Sequence, residues 1–316
     1  MERPGVGGRT YDRRPSLSGS HPRKPVFNSL AGFAFIAPNL ASVLVFLLFP
    51  LLFSLFISFT SWDLFSAPVP VGLRNYIRLL TVDPLFWTAV RNTVAFVVLT
   101  IVPSILLSLL LAALLKEKLG GLGLFRTALF LPVVSSTVAV SVIWRWIFTS
   151  DGGFLNWLIS LVGIAPVGWL TDEHWALVSV AIASVWKSVG LSTVILLAAM
   201  QGVPDVLYEA ALIDGAGPWR RFRSITIPLI VPTISFVVVI LTINSFQVFD
   251  QVYVLTGGAG GPGTSTYVYG LMLFQNAFRF FNMGYASAMA WLLFLALIVL
   301  TFIQLRLTRR ATEGIY

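Results

Sequence analysis

Long apolar segments dominate this chain and limit what it can fold into. Six such segments, separated by polar connections, recur between residues 28 and 307. A hydrocarbon core of ~30 Å needs about 20 apolar residues per helix. With 57% hydrophobic and 11% charged residues, the chain also has too little polar surface for a soluble globule. The sequence therefore predicts an all-α, multi-pass membrane protein.

The apolar segments predict six transmembrane helices and the domain boundaries. The predicted helices cover residues 28–60, 92–115, 127–149, 176–200, 227–250 and 284–307. Pro38 and Pro50 interrupt the first of them. We expect a flexible N-terminal tail over 1–27, a six-helix membrane domain over 28–308 and a short C-terminal tail over 309–316.

Positive residues indicate the orientation of the six helices. The N-terminal tail, the 116–126 loop, the 204–226 segment and the C-terminus hold 15 of the 21 Lys and Arg residues. The three connections on the other side hold 4. Because cytoplasmic loops carry the excess of Lys and Arg, an N-in, C-in topology is predicted. This distribution also explains the net charge of +8 without a nucleic-acid partner.

The segment 204–226, here called the elbow, is a long polar stretch set between two strongly apolar ones. Pro204 suits the first position of a helix, and Asp205 places negative charge toward its positive end. Gly215 is placed to end that helix. We therefore predict a helix-turn-helix elbow at a membrane surface, with its first helix over 204–213.

The elbow contains Glu209-Ala210-Ala211, then Asp214-Gly215-Ala216-Gly217, then Ile225-Thr226-Ile227-Pro228-Leu229. This pattern closely resembles the EAA loop of ATP-binding-cassette (ABC) import permeases. The resemblance implies a type I ABC importer permease fold, with a cytoplasmic EAA coupling helix between helices 4 and 5 that sits in a cleft of the ATPase. It assigns coupling to Tyr208, Glu209, Ala210, Ala211, Asp214, Gly215, Ala216 and Arg220. On the residues alone, an amphipathic connector on the lipid surface remains an alternative.

Lys187 is the one ionisable residue predicted to lie deep in the membrane. It is about 12 residues from Trp175 and therefore roughly 18 Å down, at a rise of 1.5 Å per residue. A charge at that depth costs about 3 kcal/mol unless it faces protein or water. We expect Lys187 either to line a cavity or to pair with a buried partner. Arg145, near the outer end of helix 3, can snorkel instead.

Asn244, Gln247 and Gln251 recur at i, i+3 and i+7 and predict a polar stripe on helix 5. The stripe suits either interhelical hydrogen bonding or recognition of sugar hydroxyls, because amides both donate and accept. From helix 1 onward the chain resembles the maltose-permease-like (carbohydrate uptake) family of ABC permeases, in which substrate contacts come from corresponding parts of helices 4 and 5. The resemblance implies a substrate pathway of Ser184, Lys187, Asn244, Ser245, Gln247 and Gln251. Asp250 is expected at the outer end of helix 5, not level with Lys187.

The sequence has no Gly-x-x-x-x-Gly-Lys-Ser/Thr motif and no recognisable catalytic or metal-binding constellation. We therefore expect a non-enzymatic transport subunit that binds no cofactor. The resemblance implies a second, MalG-like permease subunit, two copies of an ABC ATPase that use ATP and Mg, and an extracellular or periplasmic solute-binding protein. It also implies a carbohydrate substrate and a location in a bacterial or archaeal plasma (inner) membrane. There the chain is expected to contact membrane lipid but no nucleic acid.

Two alternatives stay open. The same machinery carries glycerol 3-phosphate or its diesters in close relatives, and Lys187 suits a phosphate as well as a hydroxyl. An ion-driven secondary transporter is the alternative from a different class. It predicts ion-titratable groups at mid-membrane and internal repeats, whereas the sequence shows Lys187 alone and no repeat.

Overall fold

The structure is a computed structural model and describes residues 27–116 and 122–312. Residues 1–26 of the predicted N-terminal tail and Lys118 of the positive loop lie outside these ranges. The described chain divides between Leu52 and Phe53 into two compact units. The second unit, from Phe53 onward, contains the β-hairpin and every helix that begins at Arg74 or later.

The described chain is almost entirely helical. Its α-helices are α1 (Phe27–Val43), α2 (Phe49–Ser58), α3 (Arg74–Ile77), α4 (Pro84–Lys116), α5 (Leu122–Val134), α6 (Thr137–Ile147), α7 (Phe154–Ser160), α8 (Glu173–Gln201), α9 (Asp205–Ile213), α10 (Pro218–Arg221), α11 (Ile227–Phe246), α12 (Asp250–Thr256), α13 (Tyr269–Phe274) and α14 (Met283–Thr312). Short π-helical segments cover Leu44–Leu48, Arg78–Val82, Phe222–Thr226 and Gln275–Arg279. One antiparallel hairpin pairs β1 (Thr60–Ser61) with β2 (Val69–Pro70), in a register that places Thr60 opposite Pro70.

Five helical stretches within the described ranges are long and apolar enough to cross a membrane. They are Phe33–Ser58, Pro84–Lys116, Glu173–Gln201, Pro218–Phe246 and Met283–Arg309. Thr127–Val134 and Thr137–Ile147 make a sixth span only if they are taken together, because they meet at a bend of 107°. The predicted helical membrane protein is confirmed, but the predicted unbroken helix over 127–149 is wrong.

The break between α5 and α6, here called the α5–α6 corner (residues 132–137), has a local cause. Pro132 lies in the last turn of α5 and has no N–H to donate, so it weakens the helix there. Ser136 then leaves the helical region, with a ψ of 130°, and α6 begins at the next residue. The corner therefore leaves carbonyl groups at the end of α5 without intrahelical partners.

α4 begins eight residues before the predicted start of helix 2, at Pro84 rather than at residue 92. The Asp83 side chain accepts a hydrogen bond of 3.0 Å from the N–H of Leu85. Asp just before a helix and Pro in its first turn are both typical of a helix N-terminus. The stretch 84–91, predicted as polar connection, is therefore helical.

α11 ends at Phe246, four residues before the predicted end of helix 5. Phe249 leaves the helical conformation with φ of −143°, and Asp250 begins α12 with a carboxylate in its first turn. A negative charge is favourable at that end of a helix. The prediction that the polar stripe lies on one helix is therefore wrong, because Gln251 belongs to α12.

α8 is the central helix of the second unit and packs against α4, α5 and α11. Asp172 marks its start, because the Asp172 carboxylate accepts a hydrogen bond of 2.7 Å from the N–H of His174, which lowers the pKa of that carboxyl. Gly190 gives α8 its close approach to α5. An ideal Cβ built on Gly190 lies 1.9 Å from the carbonyl oxygen of Leu129, so no side chain fits between the two backbones.

Candidate functional site

A cavity of about 440 Å³, here called the central cavity, lies among α4, α8, α11 and α12 and reaches the α5–α6 corner. Phe96 and Val248 of one apolar cluster border it, together with Val237 and Leu241 of a second cluster. All six residues predicted to form a substrate pathway line this cavity: Ser184, Lys187, Asn244, Ser245, Gln247 and Gln251. The structure therefore brings together residues from both sides of the elbow.

Lys187 lines the cavity through a half-buried side chain. Its Nζ donates hydrogen bonds of 2.8 Å to the carbonyl oxygen of Ser135 and 3.3 Å to that of Pro132. Both carbonyls belong to the α5–α6 corner, where the end of a helix carries partial negative charge and attracts cations. No carboxylate of the described residues forms an ion pair with Lys187. The partners of this charge are therefore backbone oxygens rather than a buried acid.

Three side-chain amides line the cavity, and among the described residues one of them is hydrogen-bonded to another side chain and two are not. Gln251 is buried, and its side-chain oxygen accepts a hydrogen bond from the Ser184 hydroxyl, which joins α12 to α8. Asn244 and Gln247 are exposed to the cavity, and neither side chain has a hydrogen-bond partner among the described residues. Both amides are thus free to donate to and accept from a polar ligand.

Several polar side chains in the cavity were not predicted. Thr100 and Thr137 line it from α4 and α6, and Ser188 and Ser192 line it from α8. The hydroxyl of Thr100 is buried and has no partner within the described part of the chain. The i, i+4, i+8 spacing of Ser184, Ser188 and Ser192 places them on one face of α8 and is a sequence signal that indicates this wall. Asp250, expected away from the level of Lys187, lines the same cavity.

The elbow begins with α9, whose end is formed by Gly215. Gly215 has φ of +70°, a left-handed conformation that favours glycine. Its N–H donates a hydrogen bond of 3.0 Å to the carbonyl oxygen of Leu212, and the N–H of Ala216 donates one of 2.8 Å to that of Ala211. These two bonds form a Schellman motif, which satisfies carbonyls at the end of α9 and turns the chain sharply.

The predicted coupling residues lie on different sides of the elbow. Tyr208 points back toward the bundle, where its hydroxyl lies 2.8 Å from the Thr226 hydroxyl and its ring 3.9 Å below the Lys116 ammonium. Val206 and Ile213 of α9 are 69% and 88% exposed. The other assigned residues are exposed at Glu209, Ala210, Asp214, Gly215 and Arg220 and half-buried at Ala211 and Ala216.

Comparisons with known proteins agree with this architecture. Residues 119–313 match the family described as binding-protein-dependent transport system inner membrane component. The lactose transport system permease protein LacF of Rhizobium radiobacter is 41% identical over 276 residues, which cover 86% of this chain and 92% of the relative. The trehalose/maltose transport system permease protein MalF of Thermococcus litoralis is 37% identical over 279 residues, covering 88% and 93%.

A solved structure shows the same fold. It is a crystal structure of a bacterial alginate ABC transporter in complex with an alginate pentasaccharide-bound periplasmic protein. One of its chains superposes with a TM-score of 0.79 at 24% identity, and the match covers 91% of this chain and 97% of that chain. The chain therefore belongs to the family of inner-membrane components of binding-protein-dependent transport systems and is a multi-pass permease of a carbohydrate ABC importer.

Proposed function

We propose that this chain forms half of the translocation pathway of its importer, that the central cavity is part of that pathway, and that the elbow couples it to ATP hydrolysis by a partner subunit. One observation carries the proposal: the two sites share their helices. α8, which bears Ser184 and Lys187, leads into the elbow after Gln201, and α11, which bears Asn244 and Ser245, leaves it. A displacement of the elbow therefore moves two walls of the cavity.

The cavity suits a hydroxyl-rich solute such as a disaccharide or a larger sugar. Its volume of about 440 Å³ lies within the usual range for small-molecule sites. The free amides of Asn244 and Gln247 match sugar hydroxyls, which also both donate and accept. Relatives named for lactose and for trehalose/maltose transport support this substrate class.

A phosphorylated polyol such as glycerol 3-phosphate fits the cavity less well. Lys187 is the one cation among the described residues that line it, and two of its three N–H donors already serve backbone carbonyls. Asp250 adds a negative charge to the same lining. The electrostatics of the cavity therefore favour a neutral sugar.

The outward side of α9 suits a protein partner. Val206 and Ile213 are apolar and exposed, and between them Ala210 offers only a methyl group, so another surface can approach the backbone closely. In the proposed N-in, C-in topology this side, together with the tails 1–27 and 309–316, faces the cytoplasm. Two ATPase copies that use ATP and Mg, a second MalG-like permease and an external solute-binding protein complete the proposed importer, while this chain itself binds no cofactor.

Reconstitution of the assembled importer in liposomes tests the coupling role. We expect ATP hydrolysis to rise with loaded but not with empty binding protein. We expect this stimulation to be lost in the double variant Glu209→Lys with Gly215→Pro, because it reverses a charge and breaks the left-handed end of α9. Stimulation that stays fully coupled would refute the assignment. Uptake by the purified chain alone, without nucleotide, would support the ion-driven transporter instead.

The orientation has a separate test, because the natural chain contains no cysteine. A single Ala210→Cys variant in intact cells should react with a membrane-impermeant thiol reagent only after the cells are opened. An Asp151→Cys variant, whose exposed position lies in the connection between α6 and α7, should react without opening. The reverse pattern would overturn the proposed N-in, C-in topology.

A further inference from the structure

A second cavity, of about 820 Å³ and here called the elbow cavity, lies at the C-terminal ends of α4 and α8, beside the elbow. The i, i+3, i+4, i+7 face of α9 forms one wall of it, namely Asp205, Tyr208, Glu209 and Leu212. This wall lies on a different side of α9 from the exposed Val206 and Ile213. The elbow cavity shares no lining residue with the central cavity.

The wall formed by α4 is apolar and open to its surroundings. Leu106 and Leu110 line the elbow cavity and are 62% and 56% exposed, although both lie within a membrane-spanning stretch. Exposed leucines at that position of a membrane-spanning helix suit contact with hydrocarbon. Lys116, the last residue of α4, stands at the polar end of the same wall. The shape therefore suits an occupant with an apolar chain and a polar head.

The polar end of the elbow cavity carries charges of both signs. Lys116 and Arg221 are basic, and Asp205 and Glu209 are acidic. Across residues 27–116 and 122–312, none of these four side chains takes part in an ion pair. The Lys116 ammonium instead lies over the ring of Tyr208. The four charges are therefore placed around the cavity without neutralising one another.

Arg221 lines the elbow cavity and is half-buried. The Nε atom of its guanidinium group is buried, and it has no hydrogen-bond partner in the described part of the chain. A buried donor without an acceptor is unfavourable, and more so in a charged group. Arg221 also lines the cavity, so a ligand oxygen there can accept from the other N–H groups of the same guanidinium.

We propose that the elbow cavity binds a membrane phospholipid whose headgroup is zwitterionic and ends in a primary ammonium. Its phosphate oxygens accept hydrogen bonds from Arg221 and Lys116, and Arg in particular matches the geometry of phosphate. Its ammonium donates to the carboxylates of Asp205 and Glu209. One acyl chain lies along the leucines of α4. A headgroup with phosphate alone would leave both carboxylates without a partner, next to a negative charge.

Native mass spectrometry of the full chain, purified in mild detergent, tests the proposal. The chain is offered an equimolar mixture of phosphatidylethanolamine, phosphatidylcholine and phosphatidylglycerol with identical acyl chains. We expect phosphatidylethanolamine to be retained about tenfold more than phosphatidylglycerol, since one charge-assisted hydrogen bond is worth about this factor. Phosphatidylcholine should rank below phosphatidylethanolamine, because its quaternary ammonium has no N–H.

Matched variants locate the site. Arg221→Gln should lower retention of phosphatidylethanolamine about tenfold. Arg223→Gln should leave it unchanged, because Arg223 is exposed and lies outside the cavity lining. Asp205→Asn combined with Glu209→Gln should abolish the preference for phosphatidylethanolamine over phosphatidylglycerol. The melting temperature of each variant is measured first, and Lys116→Gln replaces Arg221→Gln if that variant does not fold.

The proposal is overturned if phosphatidylglycerol is retained as well as phosphatidylethanolamine, or if phosphatidylcholine is retained better. It is also overturned if Arg221→Gln and Arg223→Gln behave alike, or if the chain retains no lipid. None of these measurements depends on ATP hydrolysis. A failure of lipid binding is therefore distinct from a failure of the proposed coupling.

Discussion

The contact between α8 and α5 at Gly190 allows a sharp test of the packing. In Gly190→Ala the new Cβ would lie 1.9 Å from the carbonyl oxygen of Leu129, whereas real Cβ contacts essentially never fall below 3.0 Å. The carbonyl belongs to the backbone of α5, so no side chain can turn away to make room. The two helices must therefore separate by about 1 Å.

The expected magnitude follows from two opposing effects. Overpacking a tight contact costs about 1–3 kcal/mol, and a clash with backbone lies at the upper end of this range. Replacing a glycine inside a helix by alanine gains about 1 kcal/mol. Gly190→Ala should therefore lose about 2 kcal/mol of unfolding free energy. Gly123→Ala in α5, where an added Cβ meets nothing within 4 Å, should gain between zero and about 1 kcal/mol.

Thermal unfolding of both variants in the same detergent measures the difference. One kcal/mol corresponds to about 2–4 °C for chains of a few hundred residues, so their melting temperatures should differ by roughly 5–10 °C. A separation of α5 from α8 would also lengthen the hydrogen bond from Lys187 to Pro132, already 3.3 Å, and sugar uptake should fall. Equal melting temperatures for Gly190→Ala and Gly123→Ala would refute this reasoning.

Three further predictions concern single side chains. Lys187→Met should reduce uptake about tenfold through loss of a ~1.4 kcal/mol hydrogen bond, while Lys187→Arg retains it; equal uptake by both variants contradicts the role of the corner contacts. Gly215→Ala should lower stability by about 1–2 kcal/mol because of its left-handed φ, whereas Gly217→Ala, with φ of −66° and open space around it, should change stability by less than about 0.5 kcal/mol in the same denaturation assay. The pKa of the Asp172 carboxyl is lower in the folded chain than in the unfolded chain. Its hydrogen bond from the His174 N–H therefore stabilises the fold at pH values above the pKa of the unfolded state, and this stabilisation is lost as the pH falls through the pKa of the folded state. The melting temperatures of wild type and Asp172→Ala should thus differ at neutral pH and converge at a pH well below 3.8.

Most membrane-spanning stretches could be predicted from the sequence because apolar length alone indicates a span. The sequence predicts a start at residue 92 for the helix that begins at Pro84, although the Asp83-Pro84 step carries two signals of a helix N-terminus. The α5–α6 corner, by contrast, could not be predicted from the length of the apolar segment. Its stability depends on Lys187, which is distant in sequence and supplies donors for the carbonyls that the bend leaves open.

The residues of the central cavity were predictable in part, but the helix that carries Gln251 was not. Spacing alone cannot show where a helix ends, so it predicts a single helix for Asn244, Gln247 and Gln251 and does not indicate the break after Phe246. The three residues still share the cavity, because α12 begins beside α8 and places Gln251 against Ser184. The elbow cavity, by contrast, depends on how α4, α8 and the elbow meet, and no local pattern indicates it.

The hydrogen bonds from Lys187 to backbone carbonyls affect which residues of the cavity wall can be replaced. Its acceptors are peptide oxygens, and a peptide oxygen is present whichever amino acid occupies the position. A replacement at Val133, which lines the central cavity, alters the shape of the cavity while the cation keeps its anchors. A lysine paired with a carboxylate would lose its counterion if that one residue were replaced, whereas this arrangement lets the residues of the cavity wall change without leaving the charge unpartnered.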